Sequence, residues 1–363
     1  MKTANEKLLD ELIGHEVDLS RLSNSQVVAI IRILNSSDPE LRAVLIAAID
    51  SLDAGASVAA IDAALAPMLR INQSTFFSLQ QAITGVIDGV ASYEISFQAG
   101  ALTAAVPELV QARFPVAVAQ FSQVRAIALA RPFQGRLLSE WMAGIEADRA
   151  ASIRDAVRSG VLEGRTTPEI VRQIMGTKAE KYADGILQRS RREVEAVVRS
   201  AVSSTAETAS DKAFEANSDI ISHVEWLSTL DNRTSTTCRI RDRLPYTLGT
   251  YRPIGHKVPW LAGPGRIHFC CRSTKLPILK SALALGISDA ATRASMDGQV
   301  PQQTTYAQWL ARQPAARQDE ILGPERGKLL RQGKLKLQDF YNDKGRFLTI
   351  MELRQRLDPG ATS

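Results

Sequence analysis

The sequence predicts a mostly α-helical protein with a small α+β central domain: an N-terminal helical domain, long helices, a loop carried on β-strands, and a tail of short helices. Three observations carry this. Alanine and leucine are abundant while aromatic residues make up only 6% of the chain, a balance that favours helix over sheet. Apolar residues recur at helical spacing through successive segments of the first 220 positions. Between His223 and Lys280 the pattern changes. Alternation from Val224 to Leu230, and again from Arg272 to Ile278, reads as strand. Pro245, Gly249, Pro253, Gly255, Pro259, Gly263, Pro264 and Gly265 between them exclude a helix.

Taken in order, Ser23 and Ser25 are candidate caps for a helix through Val27, Ile30, Ile31 and Leu34. Asp38 caps a second, with Pro39 in its first turn, and Ser57 caps a third. A fourth runs over 73–92 through Phe76, Leu79, Ile83 and Ile87. Pro107, Pro115 and Pro132 interrupt the periodicity, so 94–133 reads as a connection between domains. The stripe Leu138, Trp141, Met142 and Ile145 restarts a helix that Gly160 is expected to stop. Thr167 and Pro168 begin another, ending at Gly176, and a long helix is expected from Lys178 to Asn217. Beyond the loop, short helices are expected at 281–285 and 288–295. Others start at Thr305, Pro314 and Pro324, and Thr349 with Glu352 forms a capping box. The expected divisions are 1–130, a helical docking domain; 134–280, the central domain; and 281–363, an appendage of short helices.

With 363 residues, 45% hydrophobic and 23% charged, the chain has the composition of a globular protein of two or three domains. No segment approaches ~18 uncharged apolar residues, so no membrane span is expected. No basic region followed by an apolar core opens the chain, so no secretory signal is expected. Three cysteines fit a reducing compartment better than a disulfide framework. Charge is unevenly placed. Residues 1–130 carry 8 basic and 13 acidic side chains, whereas 223–280 carry 10 and 3. That surplus suits phosphates or an acidic protein surface, or is simply a solvated face. Arg239, Arg241, Arg243, Arg252, Lys257 and Arg266 are the candidate nucleic-acid or partner contacts.

The central stretch holds all three cysteines and three of the four histidines. Cys238, His256, His268, Cys270 and Cys271 are metal-ligand types, and Cys238, His268 and Cys271 form the candidate zinc set. There is no Cys-x-x-Cys pair. Adjacent Cys270 and Cys271 point oppositely in an extended segment, so only one can face Cys238. The alternatives are buried thiols with His268 hydrogen-bonded to the loop, or a disulfide from Cys238 closing a ~33-residue loop worth ~3–4 kcal/mol. Asp231, Arg233, Asp242 and Arg272 lie at the loop's two ends and are candidates for an arginine–carboxylate clasp. Cys238, His268 and Asp242 can be arranged on paper as a nucleophile, base and orienting acid. No Gly-rich phosphate loop, HExxH or GxSxG accompanies them, and no enzymatic activity is expected. His15 stands alone and reads as an ordinary surface or core residue.

Three separated motifs occur in order: Trp226-Leu227-Ser228-Thr229-Leu230-Asp231-Asn232-Arg233-Thr234, then Cys238-Arg239 with Asp242, then His268-Phe269-Cys270-Cys271-Arg272-Ser273-Thr274. Together they resemble the phage Mu F-like minor head proteins, also called the head morphogenesis family of the SPP1 phage type. That family's motif runs from W-x-x-T-x-D-x-R-T through one or two cysteines to H-x-x-C-R. Asp297 to Pro301, Thr305 to Leu310, Gln318 to Gly323 and Leu348 to Leu353 are similar to the segment that follows it, so the resemblance spans about 134–357. It implies that 134–280 is a Mu F-like domain of a virion protein present in few copies. Such a protein sits at the portal vertex of the phage head, is assembled in the host cytoplasm, and is needed for head assembly. The implied partners are the portal protein, the major capsid or scaffold protein, and phage DNA. An alternative implied role is a DNA-binding or ejected virion protein, stapled by zinc. Asp231, Arg233, Cys238, His268, Cys271 and Arg272 match the motif. Two departures stand out: only Cys238 occupies a place where some members carry Cys-x-x-Cys, and Cys270 fills a variable position.

Overall fold

A computed structural model describes residues 4–53, 55–106, 108–280, 292–296, 298–301, 304–342 and 344–357. The elements in order are α1 (Ala4–Ser36), α2 (Asp38–Asp50), α3 (Val58–Ala64), α4 (Ala66–Ala105), α5 (Glu108–Gln111), α6 (Phe121–Ala130), α7 (Leu138–Leu162), α8 (Thr167–Met175) and α9 (Leu187–Ala216). Then come β1 (Ile221–Leu227), α10 (Thr236–Arg239), β2 (Pro245–Thr247), β3 (Thr274–Leu279), β4 (Thr292–Ser295) and β5 (Gly298–Pro301). The chain closes with α11 (Tyr306–Ala311), α12 (Ala315–Leu322), α13 (Pro324–Arg331), a 3-10 turn (Leu337–Phe340) and α14 (Ile350–Leu357). The protein is thus mostly α with a small antiparallel sheet. No helix among the described residues is long and apolar enough to cross a membrane.

Two compact units divide the chain, 20–91 with 125–205, and 1–19 with 92–124 and 206–363. They cut across the expected boundaries at 130 and 280, because α1, α4 and α9 are unbroken helices that contribute residues to both.

The first unit is helical. Leu41, Leu45, Ile61, Leu65 and Met68 pack with Ile153, Val157, Ile170 and Ile174 in one core. Val27, Ile30, Leu34, Phe76, Leu79 and Ile83 pack with Met142, Ile145, Val194 and Val198 in another. Helix starts follow local chemistry. The Ser57 hydroxyl accepts from the Ala60 amide. Thr166, one residue before the expected cap, forms a box with Glu169 while Pro168 occupies the first turn. Gly160 does not stop α7, which continues to Leu162. A Cβ at Gly160 would lie 2.4 Å from the Ile170 side chain, so the glycine lets α8 pack closely. The expected helix from Lys178 starts only at Leu187, because Asp184 accepts from the Thr177 amide and hydroxyl and ties the intervening segment into a loop.

The second unit contains the sheet, in order β2-β1-β3, all antiparallel. Val224, Trp226, Tyr246, Leu276 and Leu279 share a core with Leu8, Leu9, Leu102 and Phe214. The tail forms a neighbouring core in which Leu230 meets Tyr306, Trp309, Leu310, Phe340 and Leu353. The segment 94–133 is not a plain connection: α4 runs to Ala105 and α6 follows at Phe121. Of the helices expected at 281–285 and 288–295, residues 281–291 lie outside the described residues. Residues 292–295 form β4, paired in a hairpin with β5. The expected starts at Thr305, Pro314, Pro324 and Thr349 match α11 to α14 within a residue.

A buried polar layer lies in this unit. Lys275 Nζ is 2.5 Å from Glu207 Oε2 and 2.9 Å from Asp211 Oδ1, and Arg266 Nη2 is 2.8 Å from Asp211 Oδ2. His15, stacked on Phe97 at 3.5 Å, meets Glu94 at 2.5 Å. Glu16 joins the same layer, and burial together with the Glu207 and Glu94 carboxylates pushes it up to about 8. Its folded value therefore lies above its unfolded value near 4.5. Between these values the unfolded chain binds fewer protons, so stability falls as pH rises and levels off above about 8. Glu16→Gln should lie close to the wild type near pH 4 and exceed it by up to about 4 kcal/mol at pH 8, read from urea unfolding at the two values.

Candidate functional site

The site forms where β1 leaves the sheet and β3 returns to it. Trp226 pairs with Lys275 and Leu227 with Thr274, which brings the ends of the loop together. Just beyond, Arg272 grips Asp231 with both amino groups, Nη1 to Oδ2 at 2.5 Å and Nη2 to Oδ1 at 2.9 Å. The Thr234 hydroxyl and the Arg233 amide also donate to Asp231 Oδ1, each at 3.0 Å. Burial alone would raise Asp231, but Arg272, Thr234 and Arg233 together hold it below the usual carboxylate range. The Arg233 side chain stays outside this grip, 79% exposed with Nε 3.8 Å from Asp231. Asp242 is not part of the clasp. It accepts from the Ser228 amide at 3.0 Å and the Tyr306 amide at 2.9 Å, tying β1 to the tail helix α11.

Beside the clasp, Cys238, His268 and Cys271 converge, their ligand atoms all within 4.8 Å of one another. Cys238 sits on α10, whose first turn is capped by Ser235 accepting from the Cys238 amide at 3.2 Å. Its sulfur lies 3.7 Å from Cys271 Sγ and 3.4 Å from His268 Nε2. The other ring nitrogen, Nδ1, is 2.9 Å from the Phe269 carbonyl and so carries a proton, while Nε2 lies 2.8 Å from the Ser235 hydroxyl and 3.4 Å from Cys238 Sγ. Cys270 adopts φ +55°, a backbone kink that leaves it exposed while Cys271 turns inward. Cys271 donates to Cys238 and, with His268 and Ser235, brings the Cys238 thiol down to about 4 against the effect of burial. Cys271 moves the other way, up, because of that same hydrogen bond and its own burial. These are the described residues able to hold a metal ion. The sulfur separation is beyond the ~2.05 Å of a disulfide, and none of the three cysteines is disulfide-bonded. Asp242 does not complete a catalytic set, since both His268 ring nitrogens are engaged elsewhere. His256 is not a ligand either: it spans the loop between the Pro245 carbonyl and the Val258 amide.

The loop between the strands is packed rather than splayed. Trp260 stacks on Tyr251 at 4.5 Å and meets Tyr246 and Trp226 edge-on at 4.7 and 5.1 Å. Gly263 has φ +90°, and a Cβ there would come within 2.6 Å of the Trp260 ring, so the turn needs glycine. Of the six cations expected as partner contacts, only Arg252 and Lys257 are exposed. Arg241 is fully buried, donating to the Pro259 and Thr237 carbonyls. Arg239 reaches Asn232 and Ile321 carbonyls, Arg243 pairs with Glu225, and Arg266 with Asp211. These four serve the interior because the loop folds over the sheet and needs internal donors. Sequence reading missed Glu207 and Asp211, which stand i, i+4 on α9, a spacing that marks one helix face. It also missed Ser235, whose signal was a cap ahead of Cys238.

No family model matches this chain, and no curated protein or solved structure matches it either.

Arg272→Ala should cost ~1.5–3 kcal/mol at pH 7, the range for hydrogen bonds to a charged partner. Because Asp231 is depressed in the folded state, its contribution is present above its unfolded value and lost as pH falls through the folded one. The gap between variant and wild type should therefore close below about pH 4 in urea titrations. Arg272→Lys should recover only part of the loss, since an ammonium cannot make the two-pronged contact.

Proposed function

We propose that this protein is a non-enzymatic minor head component of a tailed phage, docking at the portal vertex during capsid assembly, with the portal protein as its main partner. The observation that carries this reading is the convergence of the motif. Asp231, Cys238, His268, Cys271 and Arg272, spread over some 40 positions, meet in one tight site whose groups satisfy each other. The adjoining cavity measures about 20 Å³, room for an ion or one water. Small-molecule sites need roughly 300–1,000 Å³. A larger open cleft of about 730 Å³ lies in the helical unit, but Arg189 and Glu193 on its rim pair with each other and it has no thiol or imidazole. The site thus supports a rigid platform better than a reaction centre.

What the platform presents to solvent favours a protein partner. Ile254, Leu261 and Phe269 on the loop are 41%, 57% and 37% exposed, alongside Arg252 and Lys257. Apolar anchors with a few cations suit a protein interface, whereas duplex contact relies on many free cations. The inward turn of Arg239, Arg241, Arg243 and Arg266 weighs against DNA as the main partner.

The test is co-purification with the portal protein of the same phage, followed by native mass spectrometry. Leu261→Asp and Phe269→Asp should weaken that complex at least tenfold, the loss of about 1.4 kcal/mol, while leaving the unfolding midpoint unchanged. Retained portal binding in both variants, or tight DNA binding that weakens steeply with salt, would replace this reading.

A further inference from the structure

We infer that Cys238, His268 and Cys271 bind one thiophilic divalent cation of the zinc class, with three protein ligands and a fourth position open to the cavity beside Ser235. This inference stands apart from the head-assembly reading and can fail without it.

The argument begins with distances. A tetrahedral ion with metal–sulfur bonds of about 2.3 Å and metal–nitrogen bonds of about 2.05 Å has sulfur–sulfur edges of roughly 3.8 Å and sulfur–nitrogen edges of roughly 3.5 Å. The Cys238 and Cys271 sulfurs are 3.7 Å apart, and Cys238 Sγ is 3.4 Å from His268 Nε2. Both edges of the donor triangle that start at Cys238 therefore already have the lengths a tetrahedral ion requires.

Orientation gives a second, independent sign. A histidine ligand presents one nitrogen to the ion and donates its other N–H to a carbonyl or carboxylate, which fixes the ring. His268 holds Nδ1 at 2.9 Å from the Phe269 carbonyl and places Nε2 3.4 Å from Cys238 Sγ and 2.8 Å from the Ser235 hydroxyl, on the cavity side of the sulfurs. The kink at Cys270 turns Cys271 inward and keeps its neighbour out of the donor set.

Charge and space agree. Cys238 and Cys271 are each 2% exposed, and Arg272, which lines the adjoining cavity, is committed to Asp231. A dication would bind the two sulfurs as thiolates, displacing the Cys271 proton, and soft sulfur donors select zinc over magnesium or calcium. The cavity of about 20 Å³ is lined by the hydroxyls of Ser235, Thr229, Thr234 and Ser273, suited to one water on the open position, and by Arg233 and Arg272, whose charges both face Asp231. The ion would join residue 238 to residue 271, next to the link between 231 and 272. It would thus fasten the same two points of the chain a second time.

Cobalt is the probe. The reduced full-length protein, titrated with Co²⁺, should bind one equivalent. It should show a thiolate-to-cobalt charge-transfer band with the intense visible absorption of a tetrahedral centre, both abolished by one equivalent of Zn²⁺. Cys238→Ser and Cys271→Ser should each remove about half of the charge-transfer intensity and weaken binding at least tenfold. His268→Ala should weaken binding but keep both thiolate contributions, and Cys270→Ser should leave the spectrum unchanged. Because a cysteine variant can fail to fold, alkylation of the wild type gives a second readout: Zn²⁺ should protect two thiols and leave Cys270 reactive. A folded wild type with no charge-transfer band, a spectrum lost in Cys270→Ser, alkylation of all three thiols at equal rates in zinc, or a Cys238–Cys271 disulfide in freshly purified protein would each overturn the inference.

Discussion

Lys275 is fully buried near the start of β3, and the architecture of the second unit depends on how its charge is met. An unpaired ammonium in that position would cost several kcal/mol. Glu207 and Asp211, one turn apart on α9, answer it with a carboxylate each. Asp211 also receives Arg266 and the Tyr251 hydroxyl. Burial would raise Asp211, but Lys275, Arg266 and Tyr251 together hold it well below the usual carboxylate range. One helix face thereby fixes a strand, the loop after Gly263 and the loop around Tyr251. The surrounding acids outnumber the cations, and Glu16 relieves that excess by keeping a proton.

The loop is consequently a small folded body. Its aromatic residues cluster on Trp260, Arg241 donates to the loop's own carbonyls, and its ends are clasped by Asp231 and Arg272. The tail continues the same logic. Tyr306 donates its amide to Asp242 and its hydroxyl to the Asp231 carbonyl, and Asn232 reaches Glu320. Any partner approaching the loop therefore meets a surface held from three directions, by α9, by the sheet and by the tail. A surface of that kind binds without first ordering itself, which avoids a large entropic penalty.

Several features were legible in the residues because they are local. Ser57, and Thr349 with Glu352, mark helix starts through side chains that serve backbone groups within three positions, and Pro324 does so through its fixed φ in the first turn. Alternation over Val224 to Leu230 located β1, since its Val224 and Trp226 share a core with Tyr246 and Leu276. Only one sulfur of the Cys270–Cys271 pair was expected to face the interior, and Cys271 does, but through the left-handed turn at Cys270 and not through the alternation of an extended segment. Prolines misled the reading of 94–133: they interrupt periodicity, yet α4 runs to Ala105 and α6 still forms between Pro115 and Pro132. The expected helix from Lys178 failed because the Asp184 carboxylate captures the Thr177 amide, a contact across seven residues that no helical repeat reveals.

By itself, the sequence determined the helical character, the positions of β1 and β3, the residues able to form a clasp, and the few that can ligate a metal. These depend on residue type and short spacing. Only the tertiary structure decided which charges face inward. Arg241 and Arg252 look alike as letters, yet one is sealed against the Pro259 carbonyl and the other meets solvent. The reason is physical: a guanidinium has the same charge in either setting. Its fate is set by whether distant carbonyls and carboxylates, here those of Pro259, Glu207 and Asp211, are brought within reach when the chain closes.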